Sequence, residues 1–323
     1  MEVLFLWADA VFEGGGVKAI GLVGALCVAE EKGYRWKRVA GTSAGSILAS
    51  LLAAGYSGQE LYEILIEKDF TDFLAPSWYD HIPFLGPSAR LWFKKGLHST
   101  KRLEKWLEEL LAKKGVRTFG DLKANEIKLH IIVSDITLEN LLVLPQDLEM
   151  YGHNPDEFSI AKAVSMSCSI PFFFEPARLV NKKINKVCYL VDGAVLSNYP
   201  IWLFDAENPE WPTFGFRLTS KDSATGHDID SPVSMFKALF ETMMDAHDNR
   251  SIKEQDEVRT IIVPSLDVKL TDFSIDIKKR EALFQSGVKA AEAFFNNFTF
   301  TNYLDMRSRM DITFDASRRR FSG

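Results

Sequence analysis

Residues 36–54 read Trp36-Lys37-Arg38-Val39-Ala40-Gly41-Thr42-Ser43-Ala44-Gly45-Ser46-Ile47-Leu48-Ala49-Ser50-Leu51-Leu52-Ala53-Ala54. The stretch Trp36 to Ala40 has the composition of a short strand, and Ser46 to Ala54 that of a helix. Between them Gly41-Thr42-Ser43-Ala44-Gly45 matches G-x-S-x-G, the turn that presents a nucleophilic serine in a strand-turn-helix context. The spacing has a steric cause. The serine sits on a strained turn, and glycines two before and two after it permit the close approach that the turn needs. The helix N-terminus behind Ser43 favours developing negative charge. A partial copy, Gly86-Pro87-Ser88-Ala89-Arg90, lacks the closing glycine.

Upstream, Val3 to Phe12 is rich in apolar and aromatic residues and stops at Glu13-Gly14-Gly15-Gly16, a strand entering a tight loop. Ala19 to Lys32 is helical in its spacing of Ile20, Val23, Leu26 and Cys27, and halts at Gly33. Three glycines between a strand and a helix aim several backbone N–H groups at one point, which suits a phosphate or the oxyanion of acyl transfer. Gly14, Gly16 and Ala19 also fit the dinucleotide pattern G-x-G-x-x-A. That reading requires an acidic residue at the end of the next strand, where this chain has Val39-Ala40 and the serine turn. A Walker A loop fails for want of Gly-Lys-Ser/Thr after the glycines.

Downstream, Ser57 and Glu60 form a capping-box pair opening a helix to about Lys68, and Thr100 to Lys113 is an amphipathic helix. Between them, Asp69 to His98 carries Pro76, Pro83 and Pro87 with Trp78, Tyr79, Phe84, Trp92 and Phe93, closing on Lys94-Lys95. A loop this long and this aromatic is functional rather than disordered, a candidate lid or a hydrophobic clamp over the core. Strands are expected at 128–134, 141–144, 187–191, 213–218 and 259–263, and helices at 159–166, 234–247 and 276–297. This alternation means an α/β fold with a mostly parallel sheet. With no internal repeat or low-complexity linker, residues 1–323 read as one domain with residues 69–98 inserted.

Asp192, in Val191-Asp192-Gly193-Ala194 at the end of an expected strand, is a turn aspartate or the partner of Ser43. A serine attacking a carbonyl must lose its proton, and a desolvated carboxylate within hydrogen-bond reach can accept it. A Ser–Asp–His order leaves only His227 and His247 as histidine candidates. The first lies in a polar stretch and the second near a helix end, and ordinary surface roles account for both. No H-E-x-x-H or paired-cysteine spacing suggests a metal.

Composition narrows the class. The chain is 46% hydrophobic and 25% charged, enough to build a core and too apolar for disorder. A net charge of −6 lacks the basic field of a nucleic-acid binder. Three cysteines, Cys27, Cys168 and Cys188, fit a reducing compartment, and neither a signal peptide nor a membrane-spanning run is apparent. The expected location is cytoplasmic, with peripheral membrane contact at most transient.

Taken together, these residues resemble the patatin-like phospholipase family. Glu13 to Lys18 is similar to its glycine-rich oxyanion loop, Gly41 to Gly45 to its nucleophile elbow, and Asp192-Gly193-Ala194 to its Asp-Gly-Gly/Ala motif. Ser167 to Pro176 is similar to the segment preceding that aspartate. The resemblance runs from about Val11 to Pro200. It implies a three-layer α/β/α fold, a Ser–Asp dyad without histidine, and acyl hydrolysis of glycerolipids without a cofactor or metal. Ser43 would be the nucleophile and Asp192 the base. Gly14, Gly15 and Gly16 would form the oxyanion hole, with Lys18 and Ala44 completing the oxyanion and substrate-binding group. Lys18 stands where the family has Arg or Lys; Ala19 replaces a usual glycine. The expected partner is a glycerophospholipid or other fatty-acyl ester. A phospholipase A or lysophospholipase, a soluble-ester carboxylesterase or thioesterase, and a catalytically silent lipid-binding module are the three readings this leaves.

Overall fold

The structure, a computed structural model, describes residues 6–74, 96–219, 229–230, 234–235, 238–240, 242–243, 254–270 and 272–308. Its first half alternates strand and helix: β1 (Leu6–Phe12), α1 (Ile20–Glu31), β2 (Tyr34–Thr42), α2 (Ala44–Ala53) and α3 (Gly58–Glu67). A 3₁₀ turn at Phe70–Leu74, β3 (Gly96–His98), α4 (Lys101–Lys113), β4 (Lys128–Asp135), β5 (Asn140–Leu144) and α5 (Ile160–Ser167) follow. Then come β6 (Phe172–Phe174), β7 (Ala177–Asn181), β8 (Lys186–Asp192), β9 (Thr213–Thr219), β10 (Thr260–Pro264) and α6 (Ile277–Asn297). The Ser57–Glu60 capping box forms, with Glu60 N–H donating to Ser57 Oγ and Ser57 N–H to Glu60 Oε2.

The expected elements reappear with shifted ends. β2 is longer than its composition suggests, because pairing with both β1 and β4 extends it to Tyr34 and Thr42. β3, β6 and β7 were not expected. β3 and β6 are three-residue strands that pair only with each other, too short to show alternation. Of the expected helix 234–247 only fragments are described, and they are helical. The aromatic stretch 76–95, His227 and His247 lie outside the described residues.

The sheet runs β10-β9-β1-β2-β4-β8-β7, with β5 also on β4. From β10 to β4 every pairing is parallel; β5, β8 and β7 join antiparallel. Helices and the sheet stack in three α/β/α layers. The main core fills one sheet face, from Ala10 and Phe12 of β1 to Leu22 and Leu26 of α1 and Leu48 of α2. Val11 and Ala40 point to the other face, under Tyr199, Ile201 and Phe204. Phenylalanines pack together behind β9: Phe214 has Phe294, Phe295 and Phe298 within 5.0–6.0 Å.

The register on β4 positions the site. β5 pairs with β4 from Ile131 to Asp135, so it occupies one edge throughout that span. On the other edge β2 runs as far as Thr42, opposite Ile132, and β8 ends at Asp192, opposite Val133. β2 and β8 therefore share one edge of β4 and meet head to head at neighbouring positions. The residue after Thr42 is Ser43.

Candidate active site

Ser43 links β2 to α2 with φ 51° and ψ −128°, the positive-φ region where a side chain is strained. The flanking glycines are sterically required. A Cβ at Gly45 would lie 2.6 Å from Glu13 O, and one at Gly41 would lie 2.6 Å from Ser46 N. Strain at the serine is held by its neighbours: Ser43 N–H donates to Ser167 Oγ at 2.9 Å, and Ser46 Oγ donates to Ser43 O at 2.6 Å.

Ser43 Oγ donates to Asp192 Oδ2 at 2.6 Å, although the two residues are 149 positions apart in the chain. The other carboxylate oxygen accepts the Ala194 N–H at 2.9 Å. Asp192 is completely buried. Desolvation pushes its pKa up to about 7, against the lowering effect of the Ser43 and Ala194 hydrogen bonds. A carboxylate with that affinity is half-protonated near neutrality, which suits a group that must take a proton and return it.

Residues 167–169 clasp both partners. The Ser167 hydroxyl accepts from Ser43 N–H and donates to Ile132 O at 2.6 Å, while Ser169 O accepts the Asp192 N–H at 2.9 Å. Between them Cys168 lines the same cleft as Ser43. Its burial and the nearby Asp192 carboxylate raise the thiol well above its usual range, so it stays protonated. The sequence signal for this clasp was present in Ser167-Cys168-Ser169, but a serine's acceptor cannot be read from its position.

The cleft in front of Ser43 encloses about 640 Å³ with its solvent-open part included. Its walls are almost wholly apolar: Val17, Ile20, Ile47, Leu48, Leu65, Phe70, Phe73, Leu103, Trp106, Ile170, Phe174 and Phe273. Phe173 does not line it but stacks on Phe273, centroids 5.5 Å apart. Of the residues expected from sequence, Ser43, Ala44 and Gly16 reach the cleft wall, and Asp192 lies behind Ser43. Gly14 is turned away, its N–H donating to Asn198 O at 3.2 Å. Lys18 is half-buried, and its neighbours Val17 and Ala19 face the cleft in its place. Among the described residues no cluster of three potential metal ligands occurs, and no helix is long and apolar enough to cross a membrane.

A family model described as patatin-like phospholipase matches residues 10–205. The uncharacterized protein YqhO of Bacillus subtilis (strain 168) is 43% identical over 91% of this chain and its own full length. The probable lipid hydrolase 463L of Invertebrate iridescent virus 6 is 27% identical over 59% of this chain and 61% of its own. Among solved structures, VipD from Legionella pneumophila superposes with a TM-score of 0.56 at 17% identity, over 90% of this chain and 66% of VipD.

Proposed function

Because the chain belongs to the patatin-like phospholipase family, we propose that it is a serine acyl hydrolase of fatty-acyl esters, a phospholipase A or lysophospholipase, working through Ser43 and Asp192. The observation that carries this reading is the 2.6 Å hydrogen bond from Ser43 Oγ to buried Asp192 at the wall of an apolar cleft. A hydroxyl alone is a poor nucleophile, and a desolvated carboxylate within hydrogen-bond reach is its activator. Relationship to a probable lipid hydrolase supports the substrate class.

In this reading the reaction runs in two halves. Ser43 Oγ attacks the ester carbonyl carbon as its proton passes to Asp192 Oδ2. The carbonyl electron pair moves onto oxygen, and that charge is met by the N–H groups of Gly16 and Ala44, the two at the cleft wall. Ala44 opens the ten-residue helix α2, whose N-terminus adds its dipole. Collapse breaks the ester C–O bond, and Asp192 returns the proton to the departing alcohol oxygen, leaving an acyl-serine. Water then gives a proton to Asp192 and attacks the acyl carbon, and Ser43 leaves reprotonated with release of the fatty acid. Throughout, the acyl chain lies along Ile47, Leu48 and Phe174, where burial contributes about 0.8 kcal/mol per methylene.

A fluorophosphonate probe tests the nucleophile. Wild type should label, Ser43→Ala should not, and an unlabelled, folded wild type would remove the reading. Hydrolysis of dispersed phospholipid against a short soluble ester then separates a lipid hydrolase from a soluble-ester carboxylesterase or thioesterase. Lipid association without labelling would indicate a silent lipid-binding module.

A further inference from the structure

We propose that the hairpin joining β7 to β8 is a docking element for an anionic lipid bilayer. Its turn carries Lys182, Lys183, Ile184 and Asn185, and Lys186 opens β8, all of them exposed. On the solvent face of its strands Val180 pairs with Val187, at 46% and 47% exposure, and Arg178 pairs with Tyr189. Ile184 at the tip is 56% exposed. The patch continues through Ile136, whose N–H donates to Tyr189 O, and through Met150, next to Tyr151, whose carbonyl accepts the Lys182 N–H.

Four cations thus surround five exposed apolar side chains, in a protein whose net charge is −6. Among the described residues Arg178, Lys182, Lys183 and Lys186 form no ion pair; the exposed acids nearest the patch in the chain are Glu139 and Glu149, and, past His153, Asp156, which pairs with Lys123, and Glu157. Lysines along an edge strand commonly guard against strand addition. Here Arg178 is the only one of the four cations on the edge strand β7, and guarding does not account for the bare Val180, Ile184 and Val187. Lysine heads at phosphates with aliphatic groups in the acyl boundary account for both.

The hairpin is preformed. Asn181 Oδ1 accepts the N–H groups of Lys183 and Ile184, and a His153 ring nitrogen sits 2.8 Å from Val180 O. It is also on the catalytic side. β8 is antiparallel to β4, so its turn projects beyond the ends of the parallel strands where Ser43 sits, about 20 Å from Asp192 along six strand steps. The inference rests on the lipid-ester reading of the cleft, since a hydrolase of bilayer lipids must reach their surface.

Co-sedimentation with vesicles tests it, using the full chain carrying Ser43→Ala so that no lipid is consumed. Binding should be strong to phosphatidylcholine mixed with phosphatidylglycerol, weak to phosphatidylcholine alone, and reduced by salt. Adding Lys182→Ser, Lys183→Ser and Lys186→Ser should weaken partition about a hundredfold, at roughly fivefold per cation. Ile184→Ser alone should weaken it about tenfold. Equal binding to both vesicles, or undiminished binding by the lysine variant, overturns the proposal. Turnover of a short soluble ester by chains with an intact Ser43 is read separately. It should be the same with and without the lysine changes. If no form turns the ester over while anionic binding still depends on the lysines, the hydrolase reading fails and docking stands.

Discussion

At one end of β8, Asp192 is sealed from water and each of its carboxylate oxygens has one donor, Ser43 on one and Ala194 on the other. At the other end Lys186 and its neighbours stand in solvent with no ion pairs among the described residues. One seven-residue strand passes from a place where geometry is fixed from every side to one where only charge and bare surface matter. Positions of the first kind should respond to changes of a single atom, and those of the second only to changes of charge or of hydrophobic character.

The sharpest test of that contrast is Asp192→Asn. The amide keeps the shape but cannot take the proton, so ester turnover should fall about 10⁴-fold in steady-state assays. Stability should move the other way. With a folded pKa of about 7 against 3.8 unfolded, the native state binds the extra proton between those values. Wild type therefore loses stability from this group as pH rises through that window, by at most about 4 kcal/mol. Asp192→Asn should melt higher than wild type at pH 8 and lose that advantage toward pH 4. Wild-type kcat/KM should meanwhile decline as pH falls through about 7. A melting difference independent of pH would break the account of Asp192 as a desolvated base.

A smaller effect is expected at Ser167. Ser167→Ala removes the acceptor of Ser43 N–H and the donor to Ile132 O, at about 1–3 kcal/mol for stranded polar groups. If that loss falls on the geometry of the serine, kcat should drop about 10- to 100-fold with KM little changed. An equal loss of stability with kcat intact would make Ser167 purely structural. The smallest effect belongs to the exposed end. Ile184→Ser should shift stability by no more than about 0.5 kcal/mol and leave soluble-ester turnover alone. A larger shift would mean that the hairpin tip is packed after all.

This contrast also explains what the sequence disclosed. Ser43 and the glycines around it were legible because a strained turn admits few residue types, so sterics leave a local signature. The succession of strands and helices was legible for the same local reason. Asp192 could be named, but its contact with Ser43 depends on where β2 and β8 end along β4, a long-range register with no local mark. Ser167 was quoted without a role, and Gly14 was grouped with Gly15 and Gly16 although its N–H is taken by Asn198. The cleft wall draws Leu65, Trp106 and Phe273 from three distant segments, and only packing brings them together. The lysine turn drew no reading at all, because β7 was not expected and exposure belongs to the folded surface.

The meeting of β2 and β8 on one edge of β4 has a consequence for how such a protein can change. Because Ser43 and Asp192 are aligned by neighbouring rungs of a single strand, nothing in the long chain between them has to measure the distance separating them. Connecting segments can lengthen, shorten or exchange their side chains as long as those two strand ends keep their places. Such a layout leaves the cleft wall free to vary while the Ser43–Asp192 contact keeps its geometry.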